Sequence, residues 1–405
     1  MGGYDILDLE ARNEAISLMW LKSYLNFGER RPTWAVVADA IIALHTPQSE
    51  NRIPKEIKIN IFLQSWQTCL TKLPEDLKCM LKVATKYKVQ LESRVLARDI
   101  IRQMPIWYHS ESPDIRKMFH SQESECLRVN HHIITVHDAE KIVRYLQHPN
   151  HKPRSNCGCN KCRETRLNSQ CPNPHKCFLK AQALLGKLPE KWNPMNEFPE
   201  DYENIEPPPQ EDENLRPFNY KITQYGTLAD AFRVFTEGQK SYRIPNMKWN
   251  YNHNNTFKIE AFTDGSYANN GDRNASAGSG IYVSDNSNYN RSIKIPSELT
   301  QSNQIGEIIA IKKTCEIIPK NTELHILSDS NTVLNGLLKD WNKWEDIGWI
   351  GVQNSWELQT TIARLLQRKA PTFLKWIKGH AGIEGNEAAD KNAEQGEKKT
   401  ENSAL

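Results

Sequence analysis

Apolar residues recur at helical spacing through the first third of the chain. Between residues 8 and 25 the stripe runs through Leu9, Ala15, Ile16, Met19 and Trp20, which is the spacing of one helix face. Similar stripes predict helices over residues 35–44, 57–70, 74–87 and 91–104. We therefore expect residues 1–135 to form a mostly helical region in which these stripes are packing surfaces.

The pattern weakens and then turns acidic in the middle of the chain. Thr135, with an acid three residues later, favours a helix start, and we predict helices over residues 139–146 and 178–188. From 194 to 217, acidic residues and three consecutive prolines indicate a solvated linker, with an acidic docking motif as the alternative. A short helix is predicted over 228–235. These patterns define a segment at 136–190 and a linker and connector at 191–255.

Strand-like and helix-like patterns alternate in the last third. Apolar runs predict strands over residues 257–264, 278–283, 291–295, 324–329 and 372–377. Helical stripes cover residues 303–317, 332–339 and 353–368, and a final helix carries Asp390. This alternation indicates an α/β unit.

Composition and charge narrow the class of protein only slightly. The 405 residues carry a formal net charge of +3, so no global basic field indicates nucleic-acid binding and any positive groove must be local. The chain has no run of eighteen apolar residues, and its N-terminus lacks the apolar core of a signal peptide. We therefore expect an intracellular protein without a membrane span, with the nucleus and the cytoplasm both open.

Cysteine is concentrated in one short segment. Five of the nine cysteines lie between residues 157 and 177, which indicates intracellular metal chemistry rather than a disulfide framework. Zinc takes four tetrahedral Cys or His ligands, so six candidates exceed one site; they are Cys157, Cys159, Cys162, Cys171, His175 and Cys177. Our first quartet is Cys157, Cys162 and Cys171 with either His175 or Cys177, and free thiols on a loop are the alternative. The remaining histidines of this region are expected at the surface or at helix caps; they are His131, His132, His137, His148 and His151.

Four acidic residues stand at the edges of predicted elements in the last third. Asp264 and Asp329 end predicted strands, whereas Glu307 and Asp390 lie on predicted helices. In an open α/β sheet functional groups gather outside the carboxyl ends of the strands, where converging carboxylates would repel one another without cations. Oxygen ligands suit Mg²⁺ or Mn²⁺, and two such ions could hold the attacking and leaving oxygens of a phosphoryl displacement. The pattern indicates nuclease chemistry.

The surroundings of these acids resemble the motifs of type-1 ribonuclease H, in the family's order. The matching runs are Thr263-Asp-Gly-Ser, Ser302-Asn-Gln-Ile-Gly-Glu, Ser328-Asp-Ser and Lys378-Gly-His-Ala-Gly-Ile-Glu-Gly-Asn-Glu-Ala-Ala-Asp. The resemblance implies a ribonuclease H domain at 256–397, a mixed five-stranded sheet with flanking helices, followed by a polar tail at 398–405. In the chain, this ribonuclease H domain is preceded by the mostly α-helical region with its Cys/His-rich segment.

The resemblance also implies roles for single residues. Asp264, Glu307, Asp329 and Asp390 would bind two Mg²⁺ or Mn²⁺ ions, with Asp264 bridging both. The implied reaction is in-line hydrolysis of the RNA strand of an RNA/DNA hybrid, leaving a 3′-hydroxyl and a 5′-phosphate. His380, on a loop bracketed by glycines, would assist proton transfer or product release.

Substrate contacts are implied at the start of one helix. Ser302, Asn303 and Gln304 match positions that contact the hybrid, and the alternative is that they only cap the helix. Selectivity for RNA would depend on its 2′-hydroxyl. Three tryptophans, Trp341, Trp344 and Trp349, lie where many family members carry a duplex-gripping handle, and core packing is the alternative.

The first thirty residues are similar to the segment that follows the polymerase core in non-LTR retrotransposon reverse transcriptases. This similarity implies a retroelement origin and an upstream reverse transcriptase portion as partner, while the polymerase's own acidic motif is absent. Besides an active nuclease, two other hypotheses remain open. One is a catalytically silent nucleic-acid-binding relic, and the other is a zinc-dependent interaction module.

Overall fold

The computed structural model describes residues 8–201, 203, 206, 207, 209–234, 257–268 and 275–400. The chain divides into two compact units. The first contains Met1–Asp201 and Ile222–Ile244, and the second contains Tyr202–Lys221 and Pro245–Leu405. Most of the predicted connector (235–256), the start of the chain (1–7) and the end of the tail (401–405) lie outside the described residues.

The first unit is built mainly from helices, as the apolar stripes predict, but the stripe of the first helix is not the packing surface we expected. Its residues Leu9, Ile16, Met19 and Trp20 are exposed, and the helix is buried at Leu21 and Tyr24 instead. The α-helices of the unit are Leu9–Tyr24, Thr33–Leu44, Glu75–Lys86, Arg98–Gln103, Gln122–Val129, Val136–Val143, Asn160–Asn168 and Pro174–Leu185. Short 3₁₀ segments lie between some of these helices and after the last one; they are Gln48–Glu50, Lys55–Ile57, Leu70–Lys72, Pro113–Met118, Arg144–Gln147, Glu190–Trp192, Pro199–Asp201 and Leu228–Ala231.

The predicted helix over 57–70 is wrong. Its apolar residues Leu63 and Trp66 are buried, but the backbone around them is satisfied by a side chain instead of a helical ladder. The Gln64 carboxamide accepts from Ile59 N at 2.7 Å and donates to Ile57 O and Trp107 O at 2.8 Å each. Because one buried amide meets the needs of these loop groups, an irregular segment fills the place of a helix.

The predicted helix over 91–104 is right only in its last part. Two short strands, Gln90–Leu91 and Val95–Leu96, precede the helix Arg98–Gln103. Gln90–Leu91 pairs antiparallel with Phe232–Arg233, and Val95–Leu96 pairs parallel with Thr223–Gln224. These partners are more than a hundred residues away, so no local pattern could reveal them.

Part of the acidic linker is folded. Asp201 and Glu200 form ion pairs with Nη1 of Arg98, at 2.5 Å and 3.0 Å, and this anchors the segment Pro199–Asp201 within the first unit. In the second unit, Lys375 forms an ion pair with Asp212 at 2.5 Å. The predicted linker is therefore solvated over less of its length than its composition indicates.

The second unit is organised around one mixed sheet. In spatial order its strands are Arg216–Pro217, Thr372–Trp376, Glu323–Ser328, Lys258–Ala268, Ser276–Tyr282 and Arg291–Lys294. Glu323–Ser328 is parallel to both of its neighbours, and the other pairs are antiparallel. The five predicted strands are all present, and the former linker adds Arg216–Pro217 as a sixth.

Helices flank this sheet. They are Asn303–Ile317, Asn331–Asn335, which continues through the π-helical turn Gly336–Asp340 into Trp341–Asp346, then Ser355–Leu366 and Glu384–Glu397. Ile305 and Ile309 of helix Asn303–Ile317 pack on Ala277 of the sheet and on Ile295, which follows the last strand, forming part of the unit's core. Among the described residues, no helix combines the length and apolarity that a membrane span requires.

Candidate active site

The end of parallel pairing in the sheet positions the first two carboxylates. Lys258–Ala268 runs parallel to Glu323–Ser328 as far as the pair Thr263 and Ser328. Asp264 follows Thr263 on its strand and Asp329 directly follows the end of the other strand, so the two emerge side by side. Asp264 does not end its strand as predicted, because antiparallel pairing with Ser276–Tyr282 carries the strand on to Ala268.

Two glycines bring Glu307 to this edge. A Cβ at Gly265 would lie 2.5 Å from Asn303 O, and one at Gly306 would lie 2.8 Å from the Cα of Gly265. The helix Asn303–Ile317 therefore crosses the strand with its backbone in direct contact. Glu307, one turn into the helix, is held beside Asp264.

Three carboxylates form a tight group. Asp264, Glu307 and Asp329 each offer an oxygen within 4.8 Å of the others. The side chains of Asp264 and Glu307 are only 6% and 2% exposed. Gly265 N donates to Asp264 Oδ1 at 2.7 Å, and Ser328 Oγ donates to Glu307 Oε2 at 3.3 Å.

Burial and mutual repulsion make charge unfavourable in this group. Burial, followed by the charge of Asp329, raises the pKa of Asp264 to about 7. Burial and the neighbouring Asp264 raise the pKa of Glu307 well above its usual value. Three acids in one desolvated group are the oxygen donor set that suits a hard divalent cation, and such a cation would remove the repulsion.

Asp390 lies at the margin of the group. Its helix, Glu384–Glu397, packs directly on the strand Ser276–Tyr282, since a Cβ at Gly280 would meet Ala389 O at 1.9 Å. The Asp390 carboxylate is not among the three within 4.8 Å. Its charge nevertheless contributes to the raised pKa of Asp264, and burial and Glu394 raise the pKa of Asp390 itself.

His380 is exposed on the loop before the last helix. Its φ of 51° is in the left-handed region, as is the 75° of Gly382. The loop begins against the acids, because a Cβ at Gly379 would lie 2.4 Å from Asp329 Oδ2. An exposed imidazole on such a loop can reach solvent or substrate.

The predicted substrate-contact residues have different surroundings. Ser302 caps its helix by accepting from Ile305 N at 3.3 Å. Gln304 Oε1 accepts from Asn354 Nδ2 at 2.8 Å, while Asn303 is exposed. The capping alternative therefore accounts for Ser302. Among the described residues, the capping hydrogen bond of this helix comes from Ser302 and not from Asn303.

The three tryptophans of the proposed handle are divided between core and surface. Trp341 is buried and stacks on Phe218, with centroids 6.1 Å apart and an interplanar angle of 15°. Trp344 and Trp349 are half-buried and pack on each other at 5.5 Å. Core packing accounts for Trp341.

Asn386 and Trp376 are site residues that our sequence analysis missed. Asn386 is buried and its Nδ2 lies 3.4 Å from Asp329 Oδ2, while the half-exposed Trp376 donates from Nε1 to Asp329 O at 2.9 Å. Both therefore orient Asp329. Asn386 lies inside the last matching motif, and this position could have identified it as a site residue. For Trp376 the only indication in the sequence was its position at the end of a predicted strand.

The zinc candidates form two groups rather than the quartet we favoured. The inner cluster, as we call it, consists of His151, Cys157, Cys159 and Cys162. The outer cluster consists of Cys126, His131, Cys171 and Cys177.

This grouping corrects three expectations. Cys171 is assigned to a different cluster from Cys157 and Cys162, so the favoured quartet is wrong. His131 and His151 are cluster members rather than surface or capping residues. His175 belongs to neither cluster, and its Nδ1 instead lies 2.9 Å from His151 Nε2.

Comparisons with known proteins agree with the site. The family model for RNase H matches residues 257–398. Human ribonuclease H1 is 30% identical over 148 residues, covering 35% of this chain and 51% of the relative. Ribonuclease H of Roseobacter denitrificans is 30% identical over 112 residues, covering 26% of this chain and 72% of the relative. Ribonuclease H of Cereibacter sphaeroides (strain ATCC 17025) is 33% identical over 111 residues, with shares of 26% and 72%.

The solution structure of the PFV RNase H domain is similar to 35% of this chain and 96% of its own, with 23% identity and a TM-score of 0.29. The chain spans about half the length (51%) of the mammalian ribonuclease H1 proteins it matches. The ribonucleases H of Roseobacter denitrificans and Cereibacter sphaeroides are each matched over 72% of their length. Through its residues 257–398, the chain belongs to the ribonuclease H family.

Proposed function

We propose that this protein hydrolyses the RNA strand of RNA/DNA hybrids with the help of divalent cations, Mg²⁺ or Mn²⁺. The observation that carries the proposal is the group of buried Asp264, buried Glu307 and half-buried Asp329, each offering an oxygen within 4.8 Å of the others inside the residues that match the family. The relatives are named ribonuclease H, which supports the same activity here.

The residues of the site suit a two-metal reaction. Asp264, Glu307, Asp329 and Asp390 would hold the cations. Bound there, the cations would lower the pKa of a water and stabilise charge on the attacking and leaving oxygens. Ser328 holds one oxygen of Glu307, while Asn386 and Trp376 hold Asp329, so these acids keep their orientation without the substrate.

Other residues would bind the hybrid and move protons. Exposed Asn303 and the neighbouring Gln304 stand at the helix start, one turn before Glu307, and would contact bases and sugars in the minor groove of the hybrid. The Ser302 hydroxyl would lie near a phosphate of the DNA strand. His380 would carry a proton to or from the product oxygen, since its imidazole is exposed on the loop that begins beside Asp329. Products would carry a 3′-hydroxyl and a 5′-phosphate.

Origin, partner and location remain predictions. The similarity of the first thirty residues supports a retroelement origin with an upstream reverse transcriptase portion. An intracellular location, nuclear or cytoplasmic, rests on the sequence analysis alone.

Cleavage of a labelled hybrid by the full chain tests the proposal. We expect RNA-strand cleavage with Mg²⁺ or Mn²⁺ and none after EDTA. Asp264→Asn removes the central ligand, and the expected loss is on the order of 10³-fold, because metal stabilisation of the transition state contributes several kcal/mol. The matched control is Asp285→Asn, an exposed aspartate of the same unit, which should cleave as the wild type does.

Two results would reject the proposal. One is cleavage that persists in Asp264→Asn with the fold intact by circular dichroism. The other is a wild-type chain that binds the hybrid without turnover in either cation, and this result would support a catalytically silent relic.

A further inference from the structure

The first unit contains two complete sets of soft metal ligands that the nuclease does not use. Each cluster supplies three cysteine sulfurs and one histidine nitrogen, with all four atoms within 4.8 Å of one another. Three of the four residues in the inner cluster and two of the four in the outer cluster are buried. Thiolate and imidazole ligands in sets of four are typical of closed, structural zinc sites.

Distances in the inner cluster match a zinc tetrahedron. With Zn–S of about 2.3 Å and Zn–N of about 2.0 Å, tetrahedral angles place sulfur and nitrogen about 3.5 Å apart. The observed distances from His151 Nδ1 are 3.7 Å to Cys157 Sγ, 3.7 Å to Cys159 Sγ and 3.4 Å to Cys162 Sγ. Three sulfurs are therefore arranged around one ring nitrogen at the separation that a shared zinc ion would impose.

Backbone amides support the sulfurs of the inner cluster. Lys152 N donates to Cys157 Sγ at 3.2 Å. Cys159 caps the helix Asn160–Asn168, and its Sγ accepts from Cys162 N at 3.4 Å. Amide donors at a helix start favour negatively charged sulfur, the form that binds metal.

His175 orients the imidazole of the inner cluster. His151 Nε2 faces His175 Nδ1 at 2.9 Å, so His151 can donate from Nε2 and keep the lone pair of Nδ1 directed at the three sulfurs. His175 is therefore a positioning residue rather than a ligand.

The outer cluster has an independent indication of a ligand. His131 Nε2 is buried and has no hydrogen-bond partner of proper geometry in the described part of the chain. Buried polar atoms are normally satisfied, so an unpartnered nitrogen on a ring that offers a ligand atom within 4.8 Å of three sulfurs indicates a metal. Cys171 Sγ and Cys177 Sγ lie 3.5 Å apart, near the roughly 3.8 Å of two zinc-bound sulfurs and far beyond a disulfide bond of about 2.05 Å.

We propose that residues 126–177 hold two structural zinc ions, one in each cluster, in a nested arrangement. Cys126 and His131 precede all the inner ligands along the chain, and Cys171 and Cys177 follow them. The outer zinc thus closes a loop that contains the inner site whole. Together the two ions link the helices Gln122–Val129, Asn160–Asn168 and Pro174–Leu185.

Metal content of the full-length protein tests the stoichiometry. Denaturation of the wild type in the presence of a chromogenic zinc chelator should release two zinc ions per chain. Cys157→Ser and Cys177→Ser should each release one, because each removes a ligand of a different cluster. The matched control Cys69→Ser changes a cysteine outside both clusters and should release two.

Cobalt(II) distinguishes ligation from loose association. Cobalt-loaded wild type should show the visible bands of tetrahedral thiolate coordination at two equivalents. His175→Ala should still bind two equivalents but bind the inner ion about 10–100-fold more weakly, and His175→Gln, which restores an acceptor, should recover most of the affinity.

Several outcomes would overturn the proposal, and none depends on nuclease activity. Release of fewer than two zinc ions by the wild-type chain would overturn it, and this test holds even if no variant folds. A disulfide between cluster cysteines, detected in the mass of the wild type measured without reductant, would also overturn it. Unchanged zinc release by both cluster variants would also contradict it.

Discussion

Asp264 and His109 are both buried ionisable residues, but burial acts on them in opposite directions. It raises the pKa of Asp264 to about 7 and lowers the pKa of His109 to about 3, because in each case the charged form loses its water. In the acid group a cation can offset that cost. His109 instead lies edge-on to Trp192, with Nδ1 accepting from Glu111 N at 3.2 Å.

The depressed pKa of His109 makes the stability of the first unit depend on pH. Because the folded-state pKa of this histidine is depressed, the unfolded state binds more protons between about pH 6.5 and pH 3, and stability falls as the pH is lowered through this window. The expected contribution is about 3 kcal/mol between pH 6.5 and pH 4. Urea unfolding of His109→Gln should show a shallower acid slope than the wild type.

The matched control for this prediction is His120→Gln. His120 is exposed, so its replacement should leave the acid slope unchanged. Equal slopes for the wild type and His109→Gln would show that His109 does not stay neutral in the folded state.

At the scale of elements, the contact between strand Lys258–Ala268 and helix Asn303–Ile317 determines where Glu307 lies. In Gly306→Ala the new Cβ would lie 2.5 Å from Gly278 O, which is backbone and cannot rotate away. We expect the helix to shift outward and the unfolding free energy to fall by about 1–3 kcal/mol. Hybrid cleavage should fall by more than this loss of stability alone would cause, because Glu307 is displaced.

Unfolding in urea and cleavage under native conditions measure the two effects separately. Gly28→Ala is the control, because its Cβ would meet no atom closer than 3.5 Å. Full activity of Gly306→Ala would mean that the position of Glu307 does not depend on this close contact.

Elements differed in how far the sequence could predict them. The four acids could be assigned to their elements because each lies in a motif made of consecutive residues, which the sequence shows directly. The outer cluster was missed because Cys126 and His131 are forty or more residues from Cys171. The strand Arg216–Pro217 was missed because two residues paired with a distant partner have no periodic pattern. Residues 57–70 were mistaken for a helix because the Gln64 side chain, and not a helical ladder, makes the hydrogen bonds of the backbone there.

At the scale of the whole molecule, the two units would depend on different metals. Hard oxygen ligands occupy the second unit and soft sulfur ligands the first. A ligand that binds only the folded state stabilises it by mass action, so each metal should stabilise only the unit that binds it.

Calorimetry of the full chain checks this separation. A zinc-selective chelator should lower the melting temperature of one transition, and added Mg²⁺ should raise the melting temperature of another. Asp264→Asn should abolish the Mg²⁺ effect and keep the chelator effect. A Mg²⁺ shift that survives in Asp264→Asn would place the responsible cation elsewhere.

The outermost strand of the sheet also has a practical consequence for shortened chains. Pro217 pairs with Phe373 at the rim, and Phe218 N donates to Thr372 O at 2.8 Å. A proline has no amide hydrogen, so this rim offers a poor template for another chain. A fragment that starts at the family boundary, residue 257, would expose the bare edge of Thr372–Trp376 to other molecules, and we expect such fragments to self-associate and precipitate where the longer chain stays dispersed.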